Sequence, residues 1–215
     1  MTFVGRERET ARILAAVSAG RHVVITGKFG MGKTALARHV AGLAAPDRPF
    51  LFASSSLSPA RICEALVSQL PTLRRGRAGR KAPVASYLSL RARLVAAPSN
   101  GPAPVVVLDD VSRVTAPKAG LIHQLDLAGI LLIVLLDTGL PERDRTRLLV
   151  RLEPAEKVHL GPLDLTASAE LFERLSTHYR LGWSTRQIEG LARASGGYPL
   201  RIHEIATRGR PRPPC

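Results

Sequence analysis

Residues 22–40, HVVITGKFGMGKTALARHV, pass from a β-branched run through a glycine-rich bend into an amphipathic stretch. Gly27 to Thr34 fits the pattern G-x-x-x-x-G-K-[ST], and the flanks fit as well. His22–Thr26 reads as a buried strand, while Leu36, Val40 and Leu43 at i, i+4 and i+7 give the following helix one apolar face. Strand, glycine loop and helix N-terminus in succession build an anion site. The glycines let several backbone N–H groups converge, and the helix dipole adds partial positive charge. Lys33 is expected to reach the β- and γ-phosphates of a nucleotide, with the Thr34 hydroxyl on Mg²⁺. The expected ligand is ATP with Mg²⁺. The alternative, a strand–helix turn that binds nothing, needs both flanks to be coincidental.

The chain has 215 residues, enough for one large domain or one domain with a small appendage. A hydrophobic content of 45% is that of a folded globule. The first residues, MTFVGRERE, hold no apolar signal core, and no apolar run approaches membrane-spanning length. Cys63 and Cys215 form no recognisable framework, so a cytoplasmic protein is expected.

Net charge is +14, from 26 arginines and five lysines. The arginine and alanine bias is partly what a GC-rich genome produces, so its distribution carries more meaning than its total. Residues 61–100 hold eight basic side chains and one acid, whereas residues 101–160 hold seven and eight. A local excess of this kind suits a phosphate-rich partner or, equally, a solvated surface.

Along the chain, residues 7–19 read as a helix stopped by Gly20, and Phe50–Ala53 as a second strand. Pro59–Leu70 reads as a helix, followed by PTLRRGRAGRKAP, residues 71–83, as an exposed basic loop. Tyr87, Leu90 and Leu94 mark another helix, residues 105–110 a central strand, and Ile130–Leu136 a fourth strand. Between those strands a helix is centred on Leu121, Ile122 and Leu125, and a charged helix fills 140–151. Lys157–Leu160 reads as a short fifth strand. Alternation of this kind means a parallel sheet covered on both faces. After Pro162 only helices are expected, one of them opened by a Ser184/Gln187 capping box. The layout is therefore an α/β core over 1–161, a helical lid over 162–207 and a disordered basic tail over 208–215.

Asp109 ends the apolar strand VVVLDD, where a carboxylate is costly unless a cation or water neutralises it. It is the candidate Mg²⁺ ligand with Thr34, and Asp110 is the candidate for polarising an attacking water. FVGRERE at 3–9, GKFGMGKTALA, VVVLDDV, KVHLGPLDLTASAELF and GGYPL at 196–200 resemble, in this order, the STAND and NB-ARC-like ATPases, relatives of the origin-recognition branch of the AAA+ proteins. The resemblance implies a phosphate-loop NTPase fold with a five-stranded parallel sheet in the order 5-1-4-3-2, sandwiched by helices and followed by a small helical lid. It implies that Val4 and Gly5 lie near the adenine, that Gly27, Gly30, Gly32, Lys33, Thr34 and Ala35 hold the phosphates, and that Pro199 touches the nucleotide. It also implies a sensor at the end of strand four, at Asp137 or Thr138; Thr138 is favoured because an aspartate repels a γ-phosphate. Arg151 stands where an arginine finger acting on a neighbour's ATP is found, and Arg201 is a candidate second sensor. The chain departs from AAA+ enzymes in carrying Asp110 instead of glutamate, which is consistent with slow turnover.

Three functions fit. The first is an ATP-binding switch with slow Mg²⁺-dependent hydrolysis, whose nucleotide state controls self-association or binding of a protein partner. The second is an ATP-regulated protein on duplex DNA, of the transposition-regulator or loader type, using Arg74, Arg75, Arg77, Arg80 and Lys81, with Arg91 and Arg93 nearby. Aromatic content of 4%, with none in the basic loop of 71–83, disfavours stacking on single strands. The third, a small-molecule kinase, lacks a substrate insert with paired arginines. The six histidines show no metal-ligand spacing.

Overall fold

The computed structural model describes residues 3–44, 48–70, 86–96 and 103–209. The basic loop of 71–83 and the tail beyond Gly209 lie outside these residues. Five strands form one sheet: β1 (His22–Gly27), β2 (Phe50–Ser54), β3 (Val105–Val111), β4 (Leu131–Asp137) and β5 (Ala155–Leu160). Their order is β2-β3-β4-β1-β5 and every pairing is parallel, the order 5-1-4-3-2 that the resemblance implied. The helices are α1 (Glu7–Ser18), α2 (Lys33–Ala44), α3 (Pro59–Val67), α4 (Tyr87–Val95), α5 (Ala116–Leu127), α6 (Glu142–Leu152), α7 (Leu165–Tyr179), α8 (Thr185–Ser195) and α9 (Pro199–Arg208).

Alternate strand residues serve opposite faces, and both faces are apolar. Val24, Leu51, Val106, Leu132 and Val134 face a core built with Leu66, Leu94, Leu125 and Leu148 from α3 to α6. Val23, Ile25, Val107, Ile133 and Leu135 face a second core with Ile13, Val17, Leu36 and Val40 from α1 and α2. That two-sided burial is why the strands read as continuous β-branched and leucine runs. A third core lies among α7, α8 and α9 around Phe172, Leu175, Ile188 and Ile202, and it takes in Val4 from the N-terminal segment.

Several boundaries differ from the periodicity. α3 stops at Val67, but Leu70 remains buried in the core beyond it. Leu43 is 53% exposed, so the inner face of α2 is Leu36, Ala37 and Val40. β5 begins two residues early because it pairs with the whole of β1 from His22 onward, and Glu156 in it anchors Arg12 and Arg21. The Ser184/Gln187 capping box forms as expected. α9 extends to Arg208, one residue into the expected tail.

Candidate functional site

The parallel sheet brings the carboxyl ends of β1, β3 and β4 to one edge, where the loop after β1 turns into α2. Gly30 and Gly32 have φ of 82° and 84°, a region that side-chain-bearing residues rarely enter. Gly30 also has a close neighbour: a Cβ there would stand 2.8 Å from Leu200 Cβ. Leu200, the second residue of α9, donates its N–H to the Gly30 carbonyl at 3.2 Å. Pro199 begins α9, and its Cγ would stand 4.0 Å from a Cβ on Gly32. The start of α9 therefore sits on the loop.

Lys33 is folded over the loop. Its ammonium donates to the carbonyls of Gly27 at 2.7 Å and Lys28 at 3.1 Å, and lies 3.7 Å from Asp137 Oδ2. The Thr34 hydroxyl donates to Asp109 Oδ2 at 2.7 Å, and Asp109 Oδ1 accepts the Asp110 N–H at 2.8 Å. Asp110 follows a register shift between β3 and β4 and has φ 54°, which aspartate tolerates better than most residues. It is exposed at the strand end. The Ser55 N–H donates to the Asp109 carbonyl at 2.7 Å, and Lys118 donates to the Ser55 carbonyl. This second lysine ties α5 to the end of β2.

Thr34 and Asp109 suit Mg²⁺. Two hard oxygen donors converge, and among the described residues no group of three or more His, Cys, Asp or Glu could hold a metal. A cation bound through one or two protein oxygens, with phosphates and water filling the rest, is the usual magnesium arrangement beside a nucleotide.

On the other side of the loop Val4, Met31, Gly32, Ala35, Leu163, Leu171, Pro199 and His203 line a small, mainly apolar pocket. Burial lowers the His203 pKa below its usual value, favouring a neutral imidazole against this lining. Gly5 has φ 67° and is followed by Arg6 at φ 70°, which turns the chain into α1. Arg6 donates to the Gly161 carbonyl and pairs with Glu9 at 3.1 Å. Two larger grooves, of about 580 and 380 Å³, lie along the N-terminal segment and α7, away from Lys33 and Thr34.

The remaining candidates stand apart. Thr138 is on the exposed turn after β4, and Asp137 beside it makes the contact with Lys33. Arg151 donates to the Arg147 carbonyl within α6. Arg201 is exposed on α9. Arg74, Arg75, Arg77, Arg80 and Lys81 lie outside the described residues. Arg91 packs over the Tyr87 ring at 5.7 Å, and Arg93 is exposed in the last turn of α4. Lys118, His203 and Leu200 also stand at the site, with no motif in the sequence to mark them. Each lies in a helix, and helical spacing says nothing about which loop a residue meets.

Residues 2–125, more than half of the chain, match the family model of the AAA ATPase domain. The chain belongs to that family. No curated protein matches it as a relative. Among solved structures, this AAA ATPase domain is similar to the Holliday junction branch migration motor RuvB of Thermotoga maritima, with 18% identity and a TM-score of 0.63 over 96% of this chain and 62% of that one. It is similar to the Aeropyrum pernix Orc1 protein in complex with DNA, with 16% identity and a TM-score of 0.58 over 99% and 63%. It is also similar to the replication initiator DnaA bound to AMPPCP and single-stranded DNA, with 16% identity and a TM-score of 0.62 over 96% and 62%. The chain thus spans about three fifths of these proteins, and at such identities the likeness establishes the fold. Among the described residues no helix is long and apolar enough to cross a membrane.

Proposed function

We propose that the chain is an ATP-binding switch that hydrolyses its nucleotide slowly and changes its self-association or partner binding with nucleotide state. The observation that carries this reading is the meeting of Lys33, Thr34, Asp109 and Asp137 at one sheet edge beneath the start of α9. In this reading the loop N–H groups and Lys33 hold the β- and γ-phosphates. Mg²⁺ held by Thr34 and Asp109 neutralises phosphate charge when bound. Val4, Gly5, Ala35 and Pro199 lie near the adenine end, and Asp110 orients water. Its arm is one methylene shorter than a glutamate's, which supports slow turnover. The helices after residue 161 act as a lid, because Leu200 and Pro199 touch Gly30 and Gly32 and so sense what the loop holds. Thr138, Arg201 and a neighbour's Arg151 complete the site as sensors and finger, with Arg151 requiring self-association.

The second reading couples this switch to duplex DNA through Arg74, Arg75, Arg77, Arg80 and Lys81. It is favoured by the local basic excess and by the DNA named with the Orc1 structure. The test is ATP turnover by the purified chain with and without duplex DNA, at low and moderate salt, with Lys33→Ala as the blank. Slow turnover that needs Mg²⁺ and vanishes in the blank is expected. A rise with DNA that is lost on neutralising the four arginines selects the DNA reading. A chain that binds no ATP under any of these conditions refutes both.

A further inference from the structure

Asp137 is the last residue of β4, and its register partner is Gly27, the first residue of the loop. Its carboxylate is held: Oδ1 accepts the Gly139 N–H at 2.9 Å, which leaves Oδ2 facing Lys33 Nζ at 3.7 Å. The Lys33 side chain is 12% exposed and that of Asp137 is 43% exposed. The lysine meant for the terminal phosphates therefore already has an anionic partner. Asp109, Asp110 and Asp137 crowd the ends of β3 and β4 beside it. Asp109 has the Thr34 hydroxyl, and in the nucleotide reading the magnesium ion; Asp137 has Lys33.

Resting on that nucleotide reading, the geometry points to Asp137 as the residue that sets the preference of this site between nucleoside diphosphate and triphosphate. A diphosphate ends at the loop, within reach of Lys33. A γ-phosphate extends toward the strand ends and meets the Asp137 carboxylate while competing with it for Lys33. Triphosphate binding thus carries a like-charge penalty that diphosphate binding largely escapes, and the diphosphate form becomes the resting state of the switch. Because Asp137 is partly in solvent, the charge is screened. Taken across about 6 Å at an effective dielectric constant of about 40–80, one pair of like charges changes an equilibrium roughly three- to tenfold.

The experiment measures calorimetric Kd values for ADP and for the triphosphate analogue AMPPCP, with Mg²⁺, on the full chain, Asp137→Asn and Asp137→Ser. In both variants the affinity ratio of AMPPCP to ADP should rise three- to tenfold. Retained ADP binding shows that each variant is folded. An unchanged ratio, or weaker AMPPCP binding with ADP binding retained, overturns the role of Asp137 and leaves the nucleotide reading standing. Wild-type chain that binds neither nucleotide overturns both.

Discussion

Gly196 and Gly197 are neighbours with similar backbones, φ 63° and 75°, yet replacing each by alanine should have unequal consequences. Gly196 is the left-handed cap that ends α8, and a Cβ there would meet Tyr198 Cδ2 at 3.9 Å, an ordinary contact. A Cβ on Gly197 would run into the Leu163 carbonyl oxygen and stand 3.0 Å from both Leu163 N and Pro162 Cβ. Those atoms belong to the linker between β5 and α7, whose Leu163 N–H donates to the Gly197 carbonyl at 2.8 Å. A left-handed alanine costs ~1–2 kcal/mol, and a stiffer unfolded chain returns ~0.4–1 of it. Gly196→Ala should therefore cost about 1 kcal/mol or less. Gly197→Ala adds displacement of the linker, loss of a hydrogen bond contributing ~1 kcal/mol, and disturbed packing of Leu163 on the third core, for about 3–4 kcal/mol in all. Urea denaturation followed by circular dichroism reads the difference. With a slope of about 2–3 kcal/mol/M the midpoints should fall by ~0.3–0.5 M and ~1–2 M respectively. Equal midpoints would refute the argument, since the two sites differ in what the new methyl group meets and hardly at all in backbone conformation.

Burial raises the Cys63 thiol from 9.0 to about 11, with Arg91 opposing the rise. The neutral thiol is thus favoured in the native state, so its contribution to stability is full below pH 9 and is lost as pH climbs toward about 11. Against Cys63→Ala, the wild-type chain should lose stability more steeply over that interval, as equilibrium denaturation at stepped pH will show. His22 accepts the Leu132 N–H on Nδ1 at 3.1 Å, which places its proton on Nε2, 2.9 Å from Asp126 Oδ1. His22→Ala strands both partners and should cost ~1–3 kcal/mol, measured by thermal unfolding at fixed pH. A loss of less than ~0.5 kcal/mol would show that water replaces the imidazole.

The parallel sheet was legible because its strands are buried on both faces: Val23 and Val24, or Leu132 and Ile133, serve opposite cores, and such runs admit few other structures. The phosphate loop was legible because its glycines and flanking elements are contiguous in sequence. Contacts across distant elements were not. Nothing local at Asp137 announces that β1 will lie beside β4 with Gly27 opposite it; that follows from the crossover order of the strands. The repulsion expected of an aspartate is legible at this position, whereas the lysine 3.7 Å from Asp137 is not. Likewise Leu200 looked like one apolar residue of a last helix, and only the packing of α9 brings it against Gly30. The left-handed turn at Asp110 had no sequence signal apart from aspartate's tolerance of it.

The third core has a mechanical consequence. Val4 is packed with the helices that follow β5, while Ile13, nine residues further on, is packed beneath the sheet. The chain passes between these two bodies near Arg6 and again near Gly161, and Arg6 donating to the Gly161 carbonyl places these two passages side by side. In the proposed lid reading, a body hung on two adjacent points would swing about the line through them, as a gate swings on a pair of hinges. The hydrogen bond from Leu200 to Gly30 is then the catch on the free edge. In the proposed switch, what the phosphate loop holds would decide whether that catch is fastened, and the hinge line would give a local event at Gly30 one defined direction of travel.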